Sequence, residues 1–305
     1  MILQLNSQID FPAGKPRLSP PQHRTGWSGL AVHERVALFY FCLLAAWGFI
    51  RPFAASRRAL LVAVPIGLYL LCVWESRVSR AWSRVAREWS SLGVILVAYL
   101  SLQLFADARL SSWEHVWVGW DRRLLDAIGF RAAVEAFGRL IPDALESAYL
   151  MLYVLPHLSL AAVYFIGERF LARKFLLVLF LGTFTAYILI PCFPVASPRM
   201  AFPNLDLPSF QSLPRTINEW LLDHMDISTG VFPSGHVAVA FSCAFGLLSA
   251  MPRRRKVWMT AFIIASMVYL ATIYGRYHYA VDGLASILIA ALAWRITEHL
   301  HPHEA

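Results

Sequence analysis

Long apolar blocks, separated by short basic clusters, dominate this 305-residue sequence and restrict the folds open to it. Hydrophobic residues make up 58% of the chain and charged residues 15%, against roughly 45–50% and 25% in a soluble domain. One globular core cannot bury such an excess, whereas helices that cross a bilayer require it. Many of the 11 Trp residues stand at block edges, where indole suits the headgroup layer. The sequence therefore predicts an all-α, polytopic membrane helical bundle.

Eight blocks are expected to cross the membrane. They are 36–50, 59–74, 91–106, 144–166, 174–193, 233–250, 257–273 and 280–297. Several are shorter than the roughly 20 residues that a span normally needs, and the sequence leaves open whether 36–50 truly spans. The predicted organisation is a disordered cytoplasmic N-terminus (1–35), two transmembrane helices with a basic loop (36–90), a group of six transmembrane helices (91–298) and a tail (299–305).

The basic residues indicate an orientation. A net charge of +8 could suit nucleic acid, but Lys and Arg stand in short clusters between apolar blocks, as at 77–87 and 253–256. Such clusters set membrane orientation and meet anionic headgroups, so nucleic acid is not expected as a partner. With eight spans both termini share one side, and the short loops of that side are the richer in Lys and Arg. We therefore expect cytoplasmic termini, with loops 107–143 and 194–232 facing outward.

The first outward loop contains apolar residues at helical spacing. They are Trp113, Trp117, Trp120, Leu124, Leu125 and Ile128, with Asp121, Arg122 and Arg123 between them. This pattern predicts a helix that lies in the membrane interface. Such a helix could cap the mouth of a lipid-binding site or serve only as a surface anchor, and the sequence does not decide between the two.

Chemistry-bearing residues begin with Phe232-Pro-Ser234-Gly235-His236, which opens the sixth span. Serine before an apolar run is a good N-cap, and glycine lets an anion approach the backbone. The free N–H groups and positive dipole end of a helix N-terminus favour phosphate. His236 would then place a proton donor beside a bound phosphate. The alternative is an ordinary capped helix with an interfacial histidine.

A second histidine opens the eighth span. His278 and Asp282 are four residues apart, so on a helix they share a face. A carboxylate there can hold one imidazole nitrogen protonated and aim the other outward, although a purely structural pair is the alternative. His236 and His278 are separated by two spans' length of chain, so both histidines and Arg199 are expected at one depth on one side of the membrane.

These stretches resemble the signature motifs of the type 2 phosphatidic acid phosphatase superfamily, which includes the inositol phosphorylceramide synthases. Pro233-Ser234-Gly235-His236 matches the second motif, and His278-x-x-x-Asp282 matches the end of the third. The resemblance implies that 91–298 form the family's six-helix catalytic core and that the two helices of 36–90 are accessory. It also implies that His278 is the nucleophile that forms a phosphohistidine, oriented by Asp282, while His236 protonates the leaving lipid alkoxide. Arg199 and the amides near Ser234 and Gly235 would hold the phosphate oxygens, and neither a metal nor a cofactor is implied.

Two departures from the motifs bear on the substrate. No lysine stands seven residues before the arginine of the first motif, and Pro194-x-x-x-Pro198-Arg199 instead resembles the inositol phosphorylceramide synthase branch. The third motif usually has an arginine where this chain has Thr272, and Arg276 is a candidate replacement in binding phosphate. We therefore expect phosphodiester transfer from a lipid.

Several alternatives remain open at this level. One is a lipid phosphate phosphatase that hydrolyses phosphatidate or polyprenyl diphosphate, and another is a non-catalytic lipid-binding membrane protein. A magnesium-dependent alcohol phosphotransferase would need clustered aspartates, and a transporter would show repeated halves; neither feature is visible. The expected partners are the membrane, a phospholipid or polyprenyl-phosphate substrate and a lipid alcohol acceptor, with the active site on the outer face.

Overall fold

A computed structural model describes residues 29–77, 81–105, 112–167, 169–225, 227 and 230–300. These residues form thirteen α-helices and no β-strand, which confirms the predicted all-α fold. In chain order the helices are α1 (Val32–Ile50), α2 (Ala55–Arg77), α3 (Ala81–Leu102), α4 (Trp113–Arg122), α5 (Phe130–Glu135), α6 (Leu140–Met151), α7 (Leu155–Phe165), α8 (Ala172–Leu189), α9 (Pro198–Ala201), α10 (Leu213–Met225), α11 (Gly235–Ala250), α12 (Arg255–Tyr274) and α13 (Ala280–Leu300).

The predicted terminal segments fall largely beyond this part of the chain. Of the predicted disordered segment 1–35, residues 1–28 lie outside the described residues, and so do residues 301–305 of the predicted tail. The prediction was wrong for 32–35, because α1 already begins at Val32. The Glu34 carboxylate accepts a hydrogen bond from the Ala31 N–H, which stabilises the first turn of α1.

Six helices in the described part of the chain are long and apolar enough to cross a membrane. They cover Val32–Ile50, Ala55–Trp74, Val85–Phe105, Arg169–Cys192, Arg255–Tyr274 and Ala280–Leu300. These correspond to six of the eight predicted spans, and the uncertain first block meets the length requirement with 19 residues. The sixth predicted span, 233–250, is the apolar helix α11 of 16 residues, which is shorter than a normal span.

The fourth predicted span, 144–166, is not one straight helix. It is divided between α6 and α7, which meet at a bend of 70°. Pro156 is the second residue of α7. Proline lacks the N–H that would continue the hydrogen-bond ladder, and its ring clashes with the carbonyl four residues earlier, here that of Leu152. The apolar pattern of the block is therefore preserved while the helix breaks before Pro156.

Helix α8 forms the centre of the bundle. It packs against α1, α3, α11 and α13, and 72% of its apolar stretch is buried inside the protein. A close approach to α11 depends on Gly182, because a Cβ added there would lie 2.2 Å from the Ser242 hydroxyl oxygen. By contrast, only 17% of the apolar stretch of α2 is buried inside the protein. Helix α2 packs mainly against α1, so it lies at the edge of the bundle.

The packing brings the three motif-bearing segments to one end of the bundle. Helix α8 ends there, α11 starts there, and α12 returns the chain so that α13 starts there too. At the opposite end, Lys174 of α8 forms an ion pair of 3.2 Å with Glu298 of α13. The segments 190–199, 230–236 and 275–282 therefore form one cluster at the end away from this ion pair.

Candidate active site

Two histidines that are 42 residues apart in sequence meet within this cluster. The Nδ1 atom of His236 lies 3.2 Å from the Nε2 atom of His278, with the ring planes at 62°. His278 is buried, at 5% exposure, and His236 is half-buried. The distance is that of a hydrogen bond between the two rings.

The other ring nitrogen of His278 points into the protein. His278 Nδ1 lies 3.1 Å from the Val231 carbonyl oxygen and 3.4 Å from Oδ2 of Asp282. A carbonyl oxygen can only accept, so Nδ1 carries a hydrogen and Nε2 of the neutral ring carries the lone pair. Asp282 is fully buried, and its Oδ2 also accepts the Tyr279 N–H at 2.9 Å. The lone pair of His278 is thereby aimed at His236.

His236 is held in the first turn of α11. Ser234 is the N-cap, and its hydroxyl oxygen accepts the Val237 N–H at 3.3 Å. Gly235 is required by close packing, because a Cβ there would lie 2.8 Å from the Tyr187 ring. The Ser234 N–H already donates to the Asp282 carbonyl at 3.2 Å. The Gly235 N–H, at the first position of α11, is one of the amides that a helix N-terminus offers to an anion.

Backbone hydrogen bonds tie the three motif segments to one another. The Val195 carbonyl accepts the Gly230 N–H at 2.8 Å, which joins the first segment to the second. The Arg199 N–H donates to the Arg276 carbonyl at 3.1 Å, which joins the first segment to the third. The bond between Ser234 and Asp282 joins the second to the third. The relative position of the two histidines is therefore fixed by main-chain contacts as well as by helix packing.

Arg276 lies in the loop just before His278 and is 1% exposed. Its Nη1 forms an ion pair of 2.9 Å with Asp121 of α4, which is also 1% exposed. Burial raises the pKa of the Asp121 carboxyl, while the Ala280 N–H and the Arg276 guanidinium act in the opposite direction. Arg276 has a backbone φ of +65°, a conformation that costs a residue with a side chain about 1–3 kcal/mol. The ion pair helps to hold the loop in this shape.

Arg199 is placed beside the same loop, but its charge is engaged elsewhere. Its Nη1 lies 2.6 Å from Oδ1 of Asp223 on α10. The Arg199 side chain is 20% exposed and that of Asp223 is 62% exposed. Thr272, at the position where the motif usually has arginine, is fully buried, and its carbonyl accepts the N–H groups of Tyr277 and His278. Thr272 thus shapes the loop and supplies no charge.

Aromatic rings and a buried polar cluster surround the pair. The Tyr149 ring lies 5.3 Å from that of His236 and 4.7 Å from that of Tyr277, measured between centroids. The Tyr277 hydroxyl donates to Glu146 at 2.7 Å. Glu146 also forms an ion pair of 2.9 Å with Arg215, and it accepts a hydrogen bond from Asn218. Through these contacts α6 and α10 support the His278 loop from one side.

Helix α4 covers the loops from another side. Two of its carboxylates, each 1% exposed, bind backbone amides of the motif segments. Glu114 accepts the Ala196 N–H at 3.0 Å, and Asp121 accepts the Ala280 N–H at 3.0 Å. Between them Trp117 is buried against Phe232 and Tyr279. Of the two possibilities that the sequence left open for this helix, the contacts favour a cap over the site.

Sequence reasoning missed Glu114 and Asp121 as partners of the site. It treated Asp121 as one of the polar residues between apolar positions. The available signal was spacing: Glu114, Trp117, Asp121 and Leu125 recur at three- or four-residue intervals, so both acids lie on the apolar face of the helix. An acidic residue within an apolar stripe needs a buried partner. Glu146, Asp223 and Tyr149 were also missed, and no comparable pattern marks them.

Within the ranges that the structure describes, no three His, Cys, Asp or Glu side chains are grouped so that they could hold a metal ion. The absence of a metal requirement stays a prediction that a chelator experiment tests.

A family comparison agrees with this arrangement. Residues 120–296 match the model of the PAP2 superfamily. The matched segment is more than half of the chain and includes both histidines. The chain belongs to the PAP2 superfamily. No curated protein and no solved structure gives a significant match. Membership in the PAP2 superfamily supports a membrane enzyme of the phosphatase or phosphotransferase type that acts on lipid phosphates. The inositol phosphorylceramide synthase-like branch stays a prediction, because the match is to the superfamily.

Proposed function

We propose that this PAP2 superfamily protein transfers the phosphate of a lipid phosphodiester through a phosphohistidine formed on His278. The observation that carries the proposal is the pairing of His278: its Nδ1–H is held by the Val231 carbonyl, so Nε2 presents a lone pair toward His236. A nucleophile with its second nitrogen fixed and a proton donor within hydrogen-bond distance is the arrangement that covalent catalysis requires.

The chemistry can be written with each bond accounted for. The Nε2 lone pair of His278 attacks phosphorus, a P–N bond forms, and the P–O bond to the lipid alcohol breaks. His236 enters this step as the imidazolium, with a proton on each ring nitrogen; its Nδ1–H protonates the leaving oxygen, which leaves His236 neutral with a lone pair on Nδ1. In the second half His236 takes the proton of an acceptor hydroxyl, the acceptor oxygen attacks phosphorus, and the P–N bond breaks. Asp282 stabilises the positive charge that His278 carries in between.

Charge supports a phosphodiester as the donor. A phosphomonoester carries close to two negative charges at neutral pH and a diester carries one. Both arginines near the site have acidic partners, Arg276 with Asp121 and Arg199 with Asp223. Each charge-assisted hydrogen bond contributes about 1.5–3 kcal/mol. A site whose cations are already partly neutralised gains less from the second charge of a monoester.

Two other functions are compatible with the same site. Hydrolysis of phosphatidate or polyprenyl diphosphate would use water as the acceptor in the second half of the reaction. A non-catalytic lipid-binding role would use only the pocket. We also propose that the site lies on the outer face of the membrane with cytoplasmic termini, on the basis of the distribution of Lys and Arg among the loops.

Purified protein in lipid nanodiscs would test the proposal. We expect turnover of phosphatidylinositol with ceramide as acceptor, at a kcat/KM above those for phosphatidate and polyprenyl diphosphate. The His278→Ala variant is the matched negative control, and excess chelator should leave the rate unchanged. A preference for phosphatidate of about a hundredfold or more, with water as acceptor, would identify a phosphatase. Absence of turnover with all lipids would favour the binding role.

A further inference from the structure

Two donor nitrogens of the buried Arg276 guanidinium have no acceptor among the described residues. Its Nη1 is bound by Asp121, but Nε and Nη2 are buried and have no hydrogen-bond partner among the residues that the structure describes. Buried donors normally have an acceptor, and a guanidinium presents its donors as a fork that matches phosphate oxygens. Arg276 is two residues before His278, so a phosphate bound at His278 is the natural acceptor.

Asp121 is the acid that determines how much positive charge this fork offers. Asp121 and Arg276 are each 1% exposed, so water screens their attraction weakly. The neighbouring Asp206 is engaged by other cations, since it lies 3.3 Å from Arg122 and 3.5 Å from Arg131. Among the described residues, Asp121 is therefore the carboxylate paired with Arg276.

The position of Asp121 on α4 links this charge to the cap. Its Oδ1 accepts the N–H of Ala280, the first residue of α13, while its Oδ2 binds Arg276. Seven residues earlier, Glu114 binds the first motif segment from the same face of the helix. When α4 is docked, the negative charge of Asp121 is thus fixed beside the loop that carries His278.

We propose that Asp121 is a positioning and specificity-determining residue that lowers the net positive charge of the phosphate site and so favours singly charged phosphodiesters over doubly charged monoesters. The proposal rests on the function proposed above, and it assigns the preference for phosphodiesters to one side chain. It differs from a purely structural role in one respect. A structural role would change turnover of both substrate classes equally, whereas a charge-setting role changes their ratio.

The experiment measures the ratio of kcat/KM for phosphatidate to kcat/KM for phosphatidylinositol with ceramide. Asp121→Asn keeps the shape of the side chain and an acceptor for Ala280, and it should raise the ratio about tenfold or more. Arg276→Gln should lower the ratio by a similar factor, because the charge of Asp121 is then uncompensated. In the Arg276→Gln background, adding Asp121→Asn should restore the ratio toward that of the parent protein.

Asp126→Asn is the matched control. Asp126 follows α4 in the same segment, but its side chain is 51% exposed and pairs with Arg131, so the ratio should stay at the parent value. A ratio within twofold of the parent in Asp121→Asn would overturn the inference. Should that variant fail to fold, Arg276→Gln decides, since an equal loss with both substrates would overturn it as well. A parent protein with no turnover of either lipid would overturn the proposed function and this inference with it.

Discussion

His236 and His278 share a hydrogen bond of 3.2 Å between Nδ1 of the first and Nε2 of the second. The candidate acid, His236, therefore donates to the same lone pair with which the candidate nucleophile, His278, would attack phosphorus. A phosphoryl group cannot lie between two nitrogens this close. Substrate binding must therefore part the rings, with phosphorus approaching Nε2 of His278 and the leaving oxygen meeting Nδ1 of His236. The resting contact keeps both side chains oriented, and catalytic hydrogen bonds often re-form in a different geometry when substrate binds.

Substitution of the two histidines should have unequal effects. His278→Ala should abolish turnover, because no other nucleophile is held at that position. His236→Ala should slow lipid turnover by about 10²–10⁴-fold, the usual contribution of a general acid, and should cost much less with a substrate whose leaving group is already stable. Steady-state rates with a lipid and an aryl phosphate ester would measure this, together with trapping of an acid-labile phosphoprotein. His224→Ala, at an exposed residue of α10, is the control. Full activity of His278→Ala would exclude the covalent mechanism.

Asp282→Asn should reduce activity without abolishing it. The Val231 carbonyl, at 3.1 Å, is nearer to His278 Nδ1 than the carboxylate is, at 3.4 Å. The tautomer should therefore survive, while the negative charge that stabilises the charged imidazole is lost. We expect kcat to fall about 10–100-fold, which corresponds to the 1.5–3 kcal/mol of one charge-assisted hydrogen bond. A loss as complete as that of His278→Ala would show that Val231 does not hold the ring.

Glu146→Ala should destabilise the protein. Glu146 is 1% exposed, forms an ion pair with Arg215, and accepts hydrogen bonds from Asn218 and Tyr277. Removing one partner of a buried ion pair costs about 3–5 kcal/mol, because the remaining charge stays buried without compensation. Thermal unfolding in detergent would measure the loss. Glu219→Ala is the control, since Glu219 also pairs with Arg215 but its side chain is 37% exposed. Equal destabilisation by the two variants would contradict the prediction.

Labelling of single cysteines should report the orientation. In a background without the native cysteines, a cysteine at the exposed Asn204 should react with a membrane-impermeant thiol reagent added to intact cells. A cysteine at the exposed Arg254 should react only after the cells are opened. Asn204 belongs to the segment that leads from Arg199, whereas Arg254 lies at the other end of α11. The opposite pattern would place the active site on the cytoplasmic side.

The amino-acid sequence alone determined the class of the fold and the residues that resemble a family. Apolar block length depends only on local composition, and six predicted spans recur as helices of sufficient length. Of the two exceptions, 144–166 shows the limit of that argument, and 233–250 forms a helix of only 16 residues. Hydropathy averages over a block and cannot register the broken hydrogen-bond ladder before Pro156.

Partners of charged side chains were decided by the tertiary structure. Arg276 and Asp121 are 155 residues apart, and Arg199 pairs with Asp223 on α10, a helix within the loop 194–232 that the sequence predicts. A charged side chain pairs with the opposite charge that helix packing places beside it. The interaction energy of the pair depends on how deeply it is buried, and no local sequence pattern encodes that burial. The sequence thus supplied the histidines and arginines. The packing of α4, α10 and α13 decided which of them face each other and how much charge remains for a substrate.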